Sequence, residues 1–173
     1  KDFQSFSENW GIPVAAAFRR QDAIANSSPV WAGNLGYGPN PKLLARIKAA
    51  DLIIAVGARL GEATTDSYTL ITPDHPGQKL IHVHPDPDEL NHVYRVDLAI
   101  CAGMEQFAAH ALASVNPEQR RRIAVSEPLP FTSGAAAHAE WKMWNTPAPF
   151  DTPVDLGMCV QAMRDALPAD TII

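Results

Sequence analysis

Three short stretches of this 173-residue sequence carry residue types that can bind or transform a ligand. The first is Gly33-x-x-Gly36-x-Gly38, with Tyr37 inside it and Asn40-Pro41 close behind. Glycine lets a backbone turn tightly and approach a ligand, and a helix start offers free N–H groups to an anion. The spacing is the reverse of the dinucleotide fingerprint G-x-G-x-x-G, and a turn that simply requires glycine gives the same pattern. The second stretch is Gly57-Ala58-Arg59-Leu60-Gly61-Glu62, directly after the most apolar run in the chain. The Arg59 guanidinium is a planar fork suited to phosphate, and an ordinary surface arginine is the plain alternative. The third is His82-Val83-His84-Pro85-Asp86-Pro87-Asp88-Glu89. Alternation along a strand puts His82 and His84 on one face, where they could join His92 around a metal. Nothing in the spacing enforces the convergence a metal demands, so no metal site is expected. Asp86, at a strand end, is placed to accept a hydrogen bond from a ribose hydroxyl.

Other chemistries find less support. No G-x-S-x-G elbow and no P-loop occur. The two cysteines, Cys101 and Cys159, lie far apart and read as reduced packing residues. Acidic residues outnumber basic ones 19 to 14, for a net charge of -5, and Arg120-Arg121-Arg122 is the main basic cluster. That balance excludes a phosphate-tracking nucleic-acid binder. The longest strongly apolar run, Leu52 to Ala58, is far short of the ~20 residues that span a bilayer. Lys1 to Trp10 is polar with scattered aromatics and does not read as a secretory leader. A cytoplasmic protein is the expectation.

These stretches need elements to position them. Phe3, Phe6 and Trp10 form a helical stripe closed by Gly11. Ile12–Ala16 and Val30–Ala32 read as short strands, and Asn40-Pro41 opens a helix ending near Ala50. Leu52–Val56 is a continuous apolar run, which predicts a strand covered on both faces. Thr64 to Ile71 fits either a helix or a loop. Lys79–His84 and Asp97–Cys101 are further strands, and Met104, Phe107, Ala108, Ala111, Leu112 and Val115 fall at helical spacing. Strands alternating with helices predict an α/β layered domain with a mainly parallel sheet over residues 1–115.

Prolines then crowd residues 116–153, which predicts a linker holding one helix, Ser133 to Trp144. Thr152-Pro153-Val154-Asp155 resembles a capping box, followed by the stripe Leu156, Val160, Met163 and Leu167. Pro168 ends that helix, and Thr171-Ile172-Ile173 reads as a strand beginning. A stretch that opens within a helix and leaves an apolar helix face uncovered reads as a piece of a longer protein. Residues 154–173 would then start a following, truncated domain.

Four motifs in order, Gly11-Ile12-Pro13-Val14-Ala15, Gly33-Asn34-Leu35-Gly36, Ala50 to Arg59 and Ile81 to Leu90, resemble the central domain of thiamine-diphosphate-dependent enzymes. The acetolactate-synthase-like branch, with benzoylformate decarboxylase, oxalyl-CoA decarboxylase and glyoxylate carboligase, is the most similar. The resemblance implies a Rossmann-like domain of the NAD/FAD-binding type, whose first strand precedes this chain. It implies a parent enzyme, lyase or transferase, that decarboxylates or carboligates 2-oxo acids or related carbonyl compounds. Thiamine diphosphate and Mg2+ would lie between pyrimidine-binding and diphosphate-binding domains outside the segment, and the parent would be a homo-oligomer. No G-D-G metal motif occurs here, so no catalytic residue carries over.

In some family members the central domain holds FAD or ADP. The matching positions are Gly33, Gly36, Tyr37, Gly38, Gly57, Arg59 and Asp86. The flavin pattern's longer G-M-H-G element is Gly36-Tyr37-Gly38 here, its R-F-D-D-R is Arg59-Leu60-Gly61-Glu62-Ala63, and its D-x-D is His84-Pro85-Asp86. These departures make a scaffold without FAD or ADP the expectation. The other reading is a stand-alone nucleotide-binding domain of the ADP/NAD type, as in NAD-dependent deacylases. Those usually carry a four-cysteine zinc module, and this chain has two cysteines.

Overall fold

A computed structural model describes residues 1–74, 77–114, 134–148, 155–168 and 171. The elements are α1 (Asp2–Trp10), β1 (Val14–Ala16), β2 (Trp31–Asn34), α2 (Pro41–Lys48), β3 (Leu52–Val56), β4 (Lys79–His84), β5 (Leu98–Cys101), α3 (Met104–Ala113), α4 (Gly134–Trp144) and α5 (Leu156–Ala166). A single 3-10 turn, Pro87–Glu89, follows β4. Two compact units form: residues 1–141 and residues 142–173.

Local chemistry explains the end of α1 and both ends of α2. Gly11 ends α1 at φ 64, with its N–H donating to Glu8 O and that of Ile12 to Ser7 O. This double return of hydrogen bonds is the Schellman motif, and it needs a left-handed residue. Asn40 caps α2 by accepting from the Lys42 N–H at 3.0 Å, and Pro41 takes the first helical position. At the other end the Gln78 amide donates to the carbonyls of Ile47 and Lys48, in the last turn where carbonyls lack i+4 partners; Ile47 O also accepts from the Ala50 N–H.

All strand pairs in the first unit are parallel, in the orders β1-β2 and β3-β4-β5. Two buried clusters lie on them. One joins Ala55, Leu60, Leu70, Ile71, Leu80 and Tyr94; the other joins Val14, Ala16, Ile24, Val30 and Trp31. Leu35 and Ile47 pack against the first of these and also against a third group, Ala32, Leu43 and Ala137. The result is the α/β, Rossmann-like layered architecture that the alternating pattern predicts.

Several details depart from the sequence reading. β2 runs Trp31–Asn34, not Val30–Ala32, so Gly33 is a strand residue. β3 is less covered than its composition predicts: only Ala55 is buried and Leu52 is 43% exposed. Residues 64–71, which the sequence leaves open between helix and loop, are turns and bends, because Asp66, Ser67 and Tyr68 take positive φ values of 50, 54 and 63 that break any right-handed helix. Asp155 itself caps α5, its carboxylate accepting from the Met158 N–H, so it is not the inner member of a capping box. Thr152, Val115, Ser133, most of the linker prolines, and Ile172 and Ile173 lie outside the described residues.

The first turns of α4 belong to the first unit. The Gly134 N–H donates to Gly11 O at 2.8 Å, and His138 Nδ1 donates to Trp31 O at 3.0 Å. Arg46 pairs with Glu140 at 2.9 Å, and Trp141 meets Trp31 edge-on at 6.4 Å. In the second unit, Leu156, Met158, Val160, Met163 and Leu167 of the α5 region are exposed. Among the described residues no helix is long and apolar enough to cross a membrane.

Candidate functional site

In a parallel sheet the loops at the carboxyl ends of the strands are where ligands bind. Gly36, Tyr37, Gly38, Gly57, Arg59 and Asp86 all follow such ends, whereas Gly33 lies within β2. A Cβ at Gly33 would stand 3.1 Å from Trp141 Cδ1 and 3.5 Å from Leu43 Cδ2, so this glycine faces helices and not an open loop.

The loop after β2 forms one group of contacts. Tyr37 is 83% exposed and meets Phe18 edge-on, with ring centroids 5.2 Å apart. The Arg19 guanidinium lies 5.1 Å from the same Phe18 ring. Gly36 has φ 128, and a Cβ there would come within 2.5 Å of Phe18 Cδ2. Phe18 therefore fixes the identity of Gly36. Gly38, at φ 69, has nothing within 4 Å of its would-be Cβ. The Phe18 N–H donates to Thr64 Oγ1 at 3.2 Å, which ties the loop after β1 to the one after β3.

The loops after β3 and β4 form a second group. The Gly57 N–H donates to Val83 O at 2.8 Å. Gly57 has φ 67, and a Cβ there would come within 2.7 Å of Met104 Cγ. The buried His82 holds the Ala58 carbonyl through Nε2 at 2.8 Å. Arg59 Nε pairs with Glu89 at 3.0 Å, although the arginine side chain is 73% exposed. Asp86 caps the 3-10 turn, its Oδ1 accepting from the Asp88 N–H at 3.0 Å, while its own N–H donates to His84 Nδ1.

Burial pushes the His82 pKa below its usual value. The bond to Ala58 opposes that shift, His84 adds to it, and Glu89 opposes it more weakly. Burial thus favours the neutral ring, and the carbonyl partner makes Nε2 the N–H donor. The rings of His82 and His84 lie 6.0 Å apart, and among the described residues no group of three or more metal-ligating side chains converges. Arg120, Arg121 and Arg122 lie outside the described residues.

The structure thus brings Gly57, Arg59 and Asp86 to one pair of loops and Gly36, Tyr37 and Gly38 to another. In both, the groups a ligand would use already serve the chain. Gly36 and Gly57 make room for Phe18 and Met104, Arg59 answers Glu89, and Asp86 holds its own turn. The contacts of Phe18, Thr64, Glu89 and Met104 escape a sequence reading because each joins residues distant along the chain. A polar depression of about 330 Å3 lies at the opposite end of the strands, between Asp74, Lys79, Arg95 and Asp97.

Residues 1–111 match the family of the thiamine pyrophosphate enzyme central domain. The chain is 30% identical over 115 residues to a sulfoacetaldehyde acetyltransferase of Alcaligenes xylosoxydans xylosoxydans, covering 63% of this chain and 18% of that protein. It is 23% identical over 137 residues to the acetolactate synthase large subunit of Corynebacterium glutamicum, covering 79% and 21%. An acetolactate synthase of Mycobacterium leprae is 25% identical over 113 residues, covering 65% and 18%. The chain spans about a fifth of the length of these curated relatives.

Proposed function

This chain belongs to the central-domain family of thiamine pyrophosphate enzymes, and on that premise we propose that it is the structural central domain of an acetolactate-synthase-like enzyme. The parent makes or breaks a carbon–carbon bond beside a carbonyl, on 2-oxo acids or related compounds, as a transferase or lyase. The names of the relatives, sulfoacetaldehyde acetyltransferase and acetolactate synthase, support a group-transfer or carboligation chemistry. In this reading residues 1–115 are the central domain, residues 116–153 a linker carrying α4, and residues 154–173 the start of a diphosphate-binding domain. The parent is cytoplasmic and homo-oligomeric.

Among the described residues none forms a group that fits thiamine diphosphate or its Mg2+. The sequence has no G-D-G motif, and the described residues offer no metal-ligating cluster. Their sites are assigned to the pyrimidine-binding and diphosphate-binding domains of the parent. The carrying observation for a scaffold role is that the loops at the carboxyl edge are closed on one another by Arg59–Glu89, His82–Ala58 and Phe18–Thr64. Arg59 Nε is engaged by Glu89 and Asp86 Oδ1 by the Asp88 N–H, so an FAD or ADP ligand would compete with these bonds for the two side chains.

Calorimetry of the chain with thiamine diphosphate and Mg2+, and separately with FAD and ADP, tests this. No binding heat and a colourless protein are expected. Micromolar thiamine diphosphate binding overturns the scaffold reading. Micromolar ADP or FAD binding that is lost in Arg59→Ala supports the stand-alone nucleotide-binding reading instead.

A further inference from the structure

The depression at the amino ends of β4 and β5 is lined by two carboxylates, Asp74 and Asp97, and two cations, Lys79 and Arg95, together with Gly77 and Gln78. It lies at the edge of the sheet away from Arg59 and Asp86 and shares no residue with the loops weighed for a nucleotide. Its volume of about 330 Å3 falls at the small end of ligand sites, which run from about 300 to 1,000 Å3.

Backbone contacts hold the frame of this depression. The Leu80 N–H donates to Asp97 Oδ2 at 2.8 Å, and the Asp97 N–H donates to Leu80 O at 2.9 Å. This reciprocal pair fastens Asp97 to β4 and leaves its Oδ1 without a hydrogen-bond partner among the described residues. The Arg95 N–H donates to Pro73 O at 3.0 Å, which ties the approach to β5 to the residue before Asp74. Gln78 is buried, and its amide nitrogen is taken by the Ile47 and Lys48 carbonyls. Two carbonyl partners fix the orientation of the amide, so the group it leaves unused is the acceptor Oε1.

The charges decide what such a depression can hold. Neither Lys79 nor Arg95 forms an ion pair among the described residues, and neither does Asp74 or Asp97, although two charges of each sign share one concavity. A simple anion is attracted by the two cations and repelled by the two carboxylates, and a simple cation meets the reverse. A molecule that carries both charges is attracted by all four. The guanidinium fork matches a carboxylate, and the three donors of an ammonium suit carboxylate and amide oxygens.

We propose that this depression is a binding site for a small zwitterion of the α-amino acid class. Its carboxylate is held by Arg95 with Lys79, and its ammonium by Asp97 Oδ1 with Asp74 and Gln78 Oε1. Its side chain extends past Gly77, where a would-be Cβ meets nothing within 4 Å.

Backbone amide NMR of the full, isotope-labelled chain tests this, with glycine as the probe and acetate and methylammonium as single-charge controls at equal ionic strength. The amides of Gly77, Gln78, Val96 and Asp97 should shift and saturate with glycine, while those of Gly36 and Gly57 at the carboxyl edge stay in place. Neither control should saturate the shifts over the same concentrations. Arg95→Gln and Asp97→Asn should each weaken glycine binding about tenfold or more, the loss of a hydrogen bond between charged groups. Asparagine keeps an oxygen for the Leu80 N–H, so the start of β4 is preserved in that variant. Absence of saturable shifts overturns the proposal, and so does glycine binding that survives either substitution. Saturation by acetate or by methylammonium as tight as that by glycine also overturns it, because one charge would then suffice.

Discussion

Gly36 and Gly38 sit two residues apart with positive φ, yet a methyl group meets different surroundings at each. At Gly36 it would strike the Phe18 ring, which touches both Tyr37 and Arg19; at Gly38 it would enter open space. Gly36→Ala should cost at least about 2 kcal/mol, from backbone strain together with overpacking. Gly38→Ala should cost about 1–2 kcal/mol, from the left-handed conformation alone. Urea unfolding of the two variants checks the order. His82 supplies a pH dependence. Its folded pKa lies below the ordinary 6.5, chiefly through burial, so below that pH the unfolded chain takes up a proton that the folded chain resists. Stability at this site is therefore present at neutral pH and falls as pH drops. The melting midpoint should decrease from about pH 7 to 5, and His82→Gln should flatten that slope. An unchanged slope would assign the effect to other groups.

Among the elements, α4 is the one whose attachment most exceeds its local signal. Its sequence reads as a helix within a proline-rich stretch, and its buried residues are Gly134, Ala137 and His138. A Cβ at residue 134 would stand 2.6 Å from Val30 Cγ1 and 3.0 Å from Gly11 O, so the helix start lies close against the chain it covers. The Arg46 side chain is only 7% exposed and Glu140 29%, so this ion pair is shielded from solvent at one end. Removing one partner of a shielded pair is more costly than removing an exposed pair. Glu140→Ala should destabilise the first unit by about 1–3 kcal/mol, and Gly134→Val should release α4 from β2. Tryptophan fluorescence reports the second effect through the Trp31–Trp141 contact. A native spectrum in Gly134→Val would show that α4 accommodates the added side chain.

At the scale of the whole molecule, the first unit closes at Trp141, inside α4, and the second unit holds α5. Deleting Thr152–Ile173 should leave the α/β unit folded, with a melting midpoint close to that of the full chain. Deleting everything from residue 116 onward also removes α4 and its tethers to Gly11, Trp31 and Arg46, and should lower that midpoint markedly. Circular dichroism melting of both truncations decides the matter; if the shorter deletion unfolds the unit, α5 belongs to it. The exposed Leu156, Met158, Val160, Met163 and Leu167 make self-association of the full chain the expected result in analytical ultracentrifugation. Each such side chain contributes about 1.5–3 kcal/mol when fully buried.

Local signals were enough to place most of the fold. The Gly11 stop, the Asn40-Pro41 start, the apolar run of β3 and the proline stop after β4 act over a few residues, and helix caps and side-chain periods are short-range physics. The family pattern was legible for the same reason, since it consists of strand ends and the turns that follow them. What the sequence could not show is which side chains occupy those turns. Arg59 answers Glu89, Gly36 yields to Phe18, and His138 reaches Trp31 from 107 residues away. The extent of β2 and the partial exposure of β3 likewise follow from neighbours distant in sequence. Such contacts form only when the chain folds back on itself, because they depend on distance in space and leave no period in the sequence.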